Sequence, residues 1–512
     1  MNSQLSPILM FGIIAGYFLL LFIISYLTGK GADQKDFFNA NKKSPWYLVA
    51  FGMVGATLSG VTFISVPGAV GAFPEVYESV TGSREIKPNI SFSYMQMVFG
   101  YFLGYLVIAY VLLPLYYRMN LTSIYTYIEK RLGPNAYKTA AAFFLISRTI
   151  GASFRLYLVA IVFQTVCNIT GVQVPFWLTV AITILLIWVY TSRGGIKTIV
   201  YTDTLQTIFM IAAVVFTIIS IGNSMGKDLG EVVHMVADSP YSQIFFFENG
   251  WADPNNFFKQ FFAGALITIV MTGLDQDMMQ KNLSCKNLKE ARMNMLSFST
   301  ILIFVNVLFL GLGALLYLYS SNIGLEIPTQ MVGEKVSLKT DLLYPIIALQ
   351  HLSPLAGIAF ILGIIAAAYS SADSALTSLT TSFCIDFLDF EKEGSKYNNS
   401  RTRTRVHLGF SIVLFLVIVI FNAINNDSVI TQLFTIAGYT YGPLLGLFAF
   451  GMFTRFDIWD KYAIPVCVAT PFIAYFTNLL LKSFDFNIGF LIILLNGLIA
   501  FTGLLLISRR KR

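Results

Sequence analysis

Residues 366–381 read AAAYSSADSALTSLTT. They follow the apolar run Ile361–Ile365, so they sit inside a segment long enough to cross a bilayer. Yet the stretch carries hydroxyls at Ser370, Ser371, Ser374, Thr377, Ser378, Thr380 and Thr381, and a carboxylate at Asp373. Lipid holds no water to satisfy such groups. On a helical wheel of about 100° per residue, Ala367, Ser370, Ser371, Ser374, Ser378 and Thr381 share one face, with Asp373 at its flank. Bonding back to the carbonyls of the preceding turn accounts for one or two hydroxyls. It does not account for the carboxylate, because an ionisable group inside a membrane is costly and marks a functional site by default. Hydroxyl oxygens beside negative charge suit a small hard cation: sodium fits, and a proton on Asp373 is the rival.

The rest of the chain supports a membrane setting. Of 512 residues, 56% are hydrophobic and 12% charged, where a soluble domain is about a quarter charged. Apolar runs of about 20 residues recur, giving about 13 transmembrane helices. They are expected at 8–27, 46–74, 93–117, 139–167, 174–191, 203–222, 258–280, 297–319, 354–384, 406–424, 429–453, 462–482 and 487–507. The expectation is an all-α polytopic membrane protein, residues 1–512 forming one transmembrane transporter domain with no large soluble part. The first run lacks a small-residue cleavage site and reads as a retained span.

The formal net charge of +7 does not point to nucleic acid, because the basic residues gather in alternate connectors. These are Lys30 to Lys43, Arg118 to Arg131, Arg193 and Lys197, Lys281 to Arg292, Lys392 to Arg405, and Arg509 to Arg512. That is the positive-inside pattern, and with an odd span count it puts the amino end outside and the carboxyl end in the cytoplasm. A cell membrane, such as a bacterial inner membrane, is the expected location. The outside segments 76–91 and 224–257 are candidates for short helices or lids. Four cysteines in different spans show no metal spacing, and three histidines fall in no metal or nucleophile motif, which argues against an enzyme.

Transporters built from two inverted halves often break a helix at matching places. The second span, YLVAFGMVGATLSGVTFISVPGAVGA (47–72), is interrupted by Gly52, Gly55, Gly60, Pro67 and Gly68. The seventh, FFAGALITIVMTGLDQDMMQ (261–280), carries Gly264, Thr272, Gly273 and Asp275. They lie five spans apart, the second and the seventh in order. Repeats over 46–222 and 258–453 follow, with one extra helix before (8–27) and two after (462–507).

Four stretches carry a family resemblance: GATLSGVTFIS (55–65), RGGIKTIVYTDTLQ (193–206), AAAYSSADSALTS (366–378) and GLDQDMMQKNLSCKNLKEA (273–291). With them the chain resembles the sodium/solute symporter family, which includes bacterial symporters for galactose, proline and sialic acid. The resemblance implies the leucine-transporter-like 5+5 inverted repeat. It implies a sodium site made by the carbonyls of Gly55, Leu58 and Ala367 and the hydroxyls of Ser370 and Ser371. Some members of the family hold a second sodium one turn deeper, and the residues matching that site here are Asp203, Ser370, Asp373 and Ser374. Asp373 departs from the hydroxyl usual at its position, so a proton there stays open. Capping its helix, or pairing with Arg193 or Lys197, is the plainer reading of Asp203.

Thr57, Ser59 and Thr62 offer hydroxyls around the gap in the second span, where half-helix amino ends favour anionic groups. Thr62 and Thr268 stand where galactose-type members use amides, which weakens a simple-sugar reading. Ser59, Thr62 and the pair Phe92 and Gln96 are similar to sialic-acid-type members. Arg148 and Arg155 lie in the fourth span, Arg148 about 15 Å from its cytoplasmic edge. A solute carboxylate is a natural bidentate partner for an arginine at that depth, and a structural pair with a protein carboxylate is the alternative. The expected protein is a sodium-coupled symporter that works as a monomer in lipid and imports a small organic solute. The lean is toward an organic anion such as sialic acid or another carboxylate. The alternatives are a sodium/sugar symporter, a proton-coupled transporter or a passive channel.

Overall fold

The computed structural model describes residues 7–30, 34–71, 90–169, 171–247, 250, 253, 255–332, 335–392, 395–424, 429–484, 486 and 488–510. Helices carry nearly all of it. The strands among the described residues form two antiparallel ribbons, Thr329–Val332 with Lys335–Leu338 and Asp457–Ile458 with Ser508–Arg509.

The long helices are α1 (Pro7–Gly29), α2 (Trp46–Thr57), α3 (Gly60–Ala69), α4 (Tyr94–Val107), α5 (Pro134–Ile169), α6 (Phe176–Gly194) and α7 (Ile196–Ser224). There follow α8 (Phe257–Thr268), α9 (Gln276–Leu283), α10 (Leu288–Ile323), α11 (Pro354–Ser382), α12 (Ser400–Ile424), α13 (Val429–Phe453), α14 (Ala463–Lys482) and α15 (Ile492–Leu506). Each expected span corresponds to a helix or a bent pair. Nine described helices are long and apolar enough to cross a membrane alone, and counting each bent pair as one span gives eleven. The two remaining expected spans correspond to α5, which carries Lys138, Arg148 and Arg155, and the shorter α6. The helices start where the sequence supplies caps: Asn256 accepts from Phe258 N and Lys259 N at α8, Asn287 from Glu290 N at α10, and Ser353 from Ala356 N at α11.

Both expected breaks are present. α2 and α3 are bent by 58° and α8 and α9 by 66°. At the first break Leu58 (φ −77°, ψ 14°) and Ser59 (φ −6°, ψ 174°) leave helical geometry. At the second, α8 runs into a π turn, Ile269–Gly273, before Asp275 caps α9 by accepting from Asp277 N (2.9 Å) and Met278 N (3.3 Å). In the 224–257 segment, Leu229–Ala237 forms a short helix with a capping box between Asp228 and Glu231. The companion segment expected at 76–91 lies, but for its last two residues, outside the described residues.

α11 is the central helix: every residue from Gly363 to Ser382 is buried. Its apolar window is 78% buried, against 17% for the peripheral α14. α7 packs against both α11 and α2, and α8 packs along α4. The last contact is close because glycines face backbone on both sides. A β-carbon at Gly264 would collide with the Met97 carbonyl, and one at Gly100 with the Phe261 carbonyl. Small residues are what allow membrane helices to approach this near. Gly264→Ala is therefore expected to force α8 off α4 at a cost of roughly 1–3 kcal/mol. A thermal melt of the detergent-purified protein should show a midpoint several degrees lower; an unchanged midpoint would mean that the helices do not touch there.

Candidate functional site

The oxygen-rich face of α11 meets the first break. Ser371 Oγ donates to the Ala56 carbonyl at 3.1 Å, two residues before the chain unwinds. Gly55 N donates to Thr207 Oγ1 (3.1 Å), and the missing side chain of Gly55 is what lets Thr207 of α7 sit there. One turn along, Ser370 Oγ donates to Asp203 Oδ1 at 2.7 Å. Each serine thus gives its proton to another oxygen and keeps its lone pairs for a cation. The Gly55, Leu58 and Ala367 carbonyls belong to these same segments. Thr57 Oγ1, at the end of α2, is buried without a hydrogen-bond partner among the described residues.

The deeper residues are engaged differently. Asp203 is bonded on its other oxygen by Lys281 Nζ at 2.7 Å, and Lys281 is 1% exposed. Lys281 therefore leaves the group of basic connector residues: it is a buried charge on α9. Lys197 does not reach Asp203, because it pairs with Asp36 at 3.3 Å. Asp373 Oδ2 accepts from the Tyr190 hydroxyl (2.8 Å) and Oδ1 from Ser374 N (2.6 Å). Ser374 Oγ donates to the Asp277 carboxylate. So the structure joins Ser370 to Asp203, while Asp373 faces α6 and Ser374 faces α9.

Asp277 also answers the question about Arg148. The two form a buried ion pair, with side-chain exposures of 5% and 0%, so Arg148 has a protein partner. Arg155, two turns further on, differs. Among the described residues it forms no ion pair, and its Nε is buried without a partner. With Arg148, Met271 and Tyr441 it lines a narrow cleft beside the π turn, with room of about 10 Å³, about that of a single water, so an organic solute needs the cleft to open. Tyr441 turns its hydroxyl to Asp275 Oδ2 (2.6 Å).

The other expected solute residues are scattered. Ser59 and Thr62 are buried at the first break. Thr268 is buried at the end of α8, beside the Tyr105 hydroxyl. Phe92 is buried, and its backbone N–H donates to the Gln243 carbonyl (2.9 Å). Gln96 is bonded to backbone: its amide donates to the Asn255 (2.9 Å) and Ser93 (3.3 Å) carbonyls and accepts from Phe246 N (3.1 Å). It pins Phe246 and Asn255 over α4. The reading from sequence missed Asp277, Lys281 and Tyr190. For the first two a signal existed: four residues apart just past the break, they share a helical face.

Comparison with known proteins identifies the family and the fold. A model of the sodium:solute symporter family matches residues 37–457. The sodium/sialic acid symporter NanT of Aliivibrio fischeri is 24% identical over 438 residues, covering 84% of this chain and 80% of its own length. The sodium/sialic acid symporter SiaT of Proteus mirabilis is 20% identical over 459 residues, covering 87% and 84%. Human sodium-coupled monocarboxylate transporter 1 is 23% identical over 444 residues, covering 85% and 67%. Among solved structures, a substrate-bound, outward-open Na+-coupled sialic acid symporter superposes with a TM-score of 0.77 at 17% identity, covering 98% and 99% of the two chains. A nucleobase-cation-symport-1 family transporter in a closed conformation gives 0.50 at 13% identity, covering 93% and 96%. These likenesses establish the fold, an all-helical multi-span membrane protein of the leucine-transporter type.

The Arg148–Asp277 pair makes a stability prediction. Asp277→Asn leaves a buried guanidinium without its counter-charge, and it should cost roughly 3–5 kcal/mol. The double variant Arg148→Gln/Asp277→Asn strands no charge and should lose less than the two single changes together. Thermal melts of the four proteins in detergent measure this, and strict additivity would show that the pair is not coupled.

Proposed function

The chain belongs to the sodium:solute symporter family, and on that premise we propose that it imports a small organic anion together with sodium by alternating access. It is a transporter in a membrane, not an enzyme. Sodium takes the oxygens at the first break: the Gly55, Leu58 and Ala367 carbonyls with the Ser370 and Ser371 hydroxyls. Unwound carbonyls plus hydroxyls are what an alkali cation needs in exchange for its water. An ion there holds α2 and α11 in one arrangement and pre-organises the solute site, so ion and solute each raise the other's affinity. With the amino end outside, the inward sodium gradient then drives uptake.

The observation that carries the anion reading is Arg155, a guanidinium at membrane depth that makes no ion pair among the described residues, although Asp275 is near enough to interact with it electrostatically, and that lines a cleft beside a broken helix. A buried cation needs a partner, and a solute carboxylate fits it bidentately. The names of several relatives, symporters of sialic acid, monocarboxylates and iodide, are in keeping with an anion.

Two measurements test the reading. In proteoliposomes, uptake should stop when choline replaces external sodium. Ser371→Ala should raise the sodium concentration for half-maximal uptake about tenfold, the equivalent of ~1.4 kcal/mol of lost ion binding. Accumulation against a gradient excludes a channel, and uptake indifferent to sodium removes the proposal. In a thermal-shift screen with sodium present, sialic acids or other carboxylates should stabilise the wild type but not Arg155→Gln, which keeps its response to sodium alone. Stabilisation by neutral sugars only would overturn the anion.

A further inference from the structure

Asp203 lies at membrane depth and is 1% exposed. A carboxylate in that position requires a cation. Both of its oxygens are occupied: Oδ1 accepts from Ser370 on α11 and Oδ2 from the Lys281 ammonium on α9. Asp373 is near enough to interact electrostatically with both Asp203 and Lys281. Three helices, α7, α9 and α11, therefore converge on one oxygen cluster, and its centre of positive charge is a side chain of the protein.

An ammonium and a sodium ion make similar demands. Both are compact, strongly hydrated monovalent cations that take oxygen partners. We propose that the Lys281 ammonium is the resident cation of the Asp203–Ser370 cluster, held by α9 in the place of a second sodium, so that this protein couples transport to a single sodium ion. The inference rests on the sodium-symport reading above and deepens it by fixing the ion count. Its physical basis is repulsion. A sodium ion sharing the Asp203 carboxylate would lie about 4 Å from the ammonium, and at an effective dielectric of about 20 it would bind roughly a thousandfold more weakly. The first site at the helix break shares the Ser370 oxygen with this cluster, but its remaining oxygens, Ser371 and the α2 and α11 carbonyls, lie outside it. Being tethered, the ammonium stays with the protein through the cycle where a free ion is released.

The test counts ions directly. The full chain is purified in detergent and equilibrated with radioactive sodium, choline making up the ionic strength. The wild type should bind about one sodium per chain at saturation. Lys281→Met, of similar length but without charge, should bind about two. Lys281→Arg should stay at about one. Adding Ser371→Ala to Lys281→Met should bring the count back toward one, because the vacated cluster keeps its ion. Sodium should also raise the melting temperature of Lys281→Met by more than that of the wild type, since the free ion then supplies the missing charge. This readout serves even for a variant that is unstable without sodium. Two ions on the wild type overturn the inference. So does one ion on Lys281→Met with a sodium-dependent shift no larger than the wild type's. No sodium on the wild type would instead remove the first site and the symport reading with it.

Discussion

Lipid offers the backbone no hydrogen-bond partner, and both helix breaks in this symporter exist because the protein supplies one. At the second break, the Gly273 carbonyl accepts from the Tyr116 hydroxyl (2.8 Å) and the Leu274 carbonyl from the Tyr125 hydroxyl (3.1 Å). Asp275 then satisfies the first amides of α9. At the first break, a serine hydroxyl of α11 reaches the Ala56 carbonyl. The difference decides where an ion can go. Carbonyls already bonded by phenols have less to offer a cation. Serine hydroxyls keep lone pairs after donating, so the first break and α11 together retain coordinating capacity.

The same constraint sorts the buried charges. Each buried carboxylate of the central region has a defined partner: Asp277 has Arg148 and Ser374, Asp203 has Lys281 and Ser370, Asp275 has Tyr441, and Asp373 has Tyr190. Arg155 is the cation of the region without an ion pair among the described residues. Asp275 is near enough to interact with it electrostatically but makes no ion pair, so Arg155 is the least tightly neutralised cation of the set. Arg148, which by depth alone looked equally suited to a solute, is neutralised by Asp277.

What the sequence made legible was local. The spans follow from hydropathy, the breaks from glycines and polar residues in otherwise apolar runs, and the oxygen-rich face of α11 from its helical period. What it hid was pairing across distance. Asp277 lies 129 positions from Arg148 and Asp203 lies 78 from Lys281, and no period or spacing brings such residues together. Lys281 looked like one more basic residue of a cytoplasmic connector because the preceding run ends at Gln280. The 66° turn carries α9 back into the protein and buries it. Gln96 had suitable spacing for a solute contact, but its amide is committed to the backbone of a segment about 150 residues away. The inference from spacing took in the helix and missed what packs on it.

Asp277 joins the two halves of the mechanism physically. One carboxylate holds Ser374 on the oxygen-rich helix α11 and Arg148 of α5 on the wall of the cleft. It sits in the first turn of α9, directly after the break, four residues before Lys281. A displacement of α9 must therefore change three things together: the ammonium on Asp203, the contact with α11, and the position of Arg148 beside Arg155. Hydrogen-bonded charge pairs do not stretch gradually in a low-dielectric interior, because a separated pair loses its partner outright. Such a cluster has discrete arrangements, as an element that two distant sites can both bias needs to have. On the proposed reading, sodium at the first break stabilises the arrangement in which α11 and α2 are locked together. On the same reading, an anion on Arg155 stabilises whichever arrangement presents that guanidinium. Coupling requires only that the two be the same.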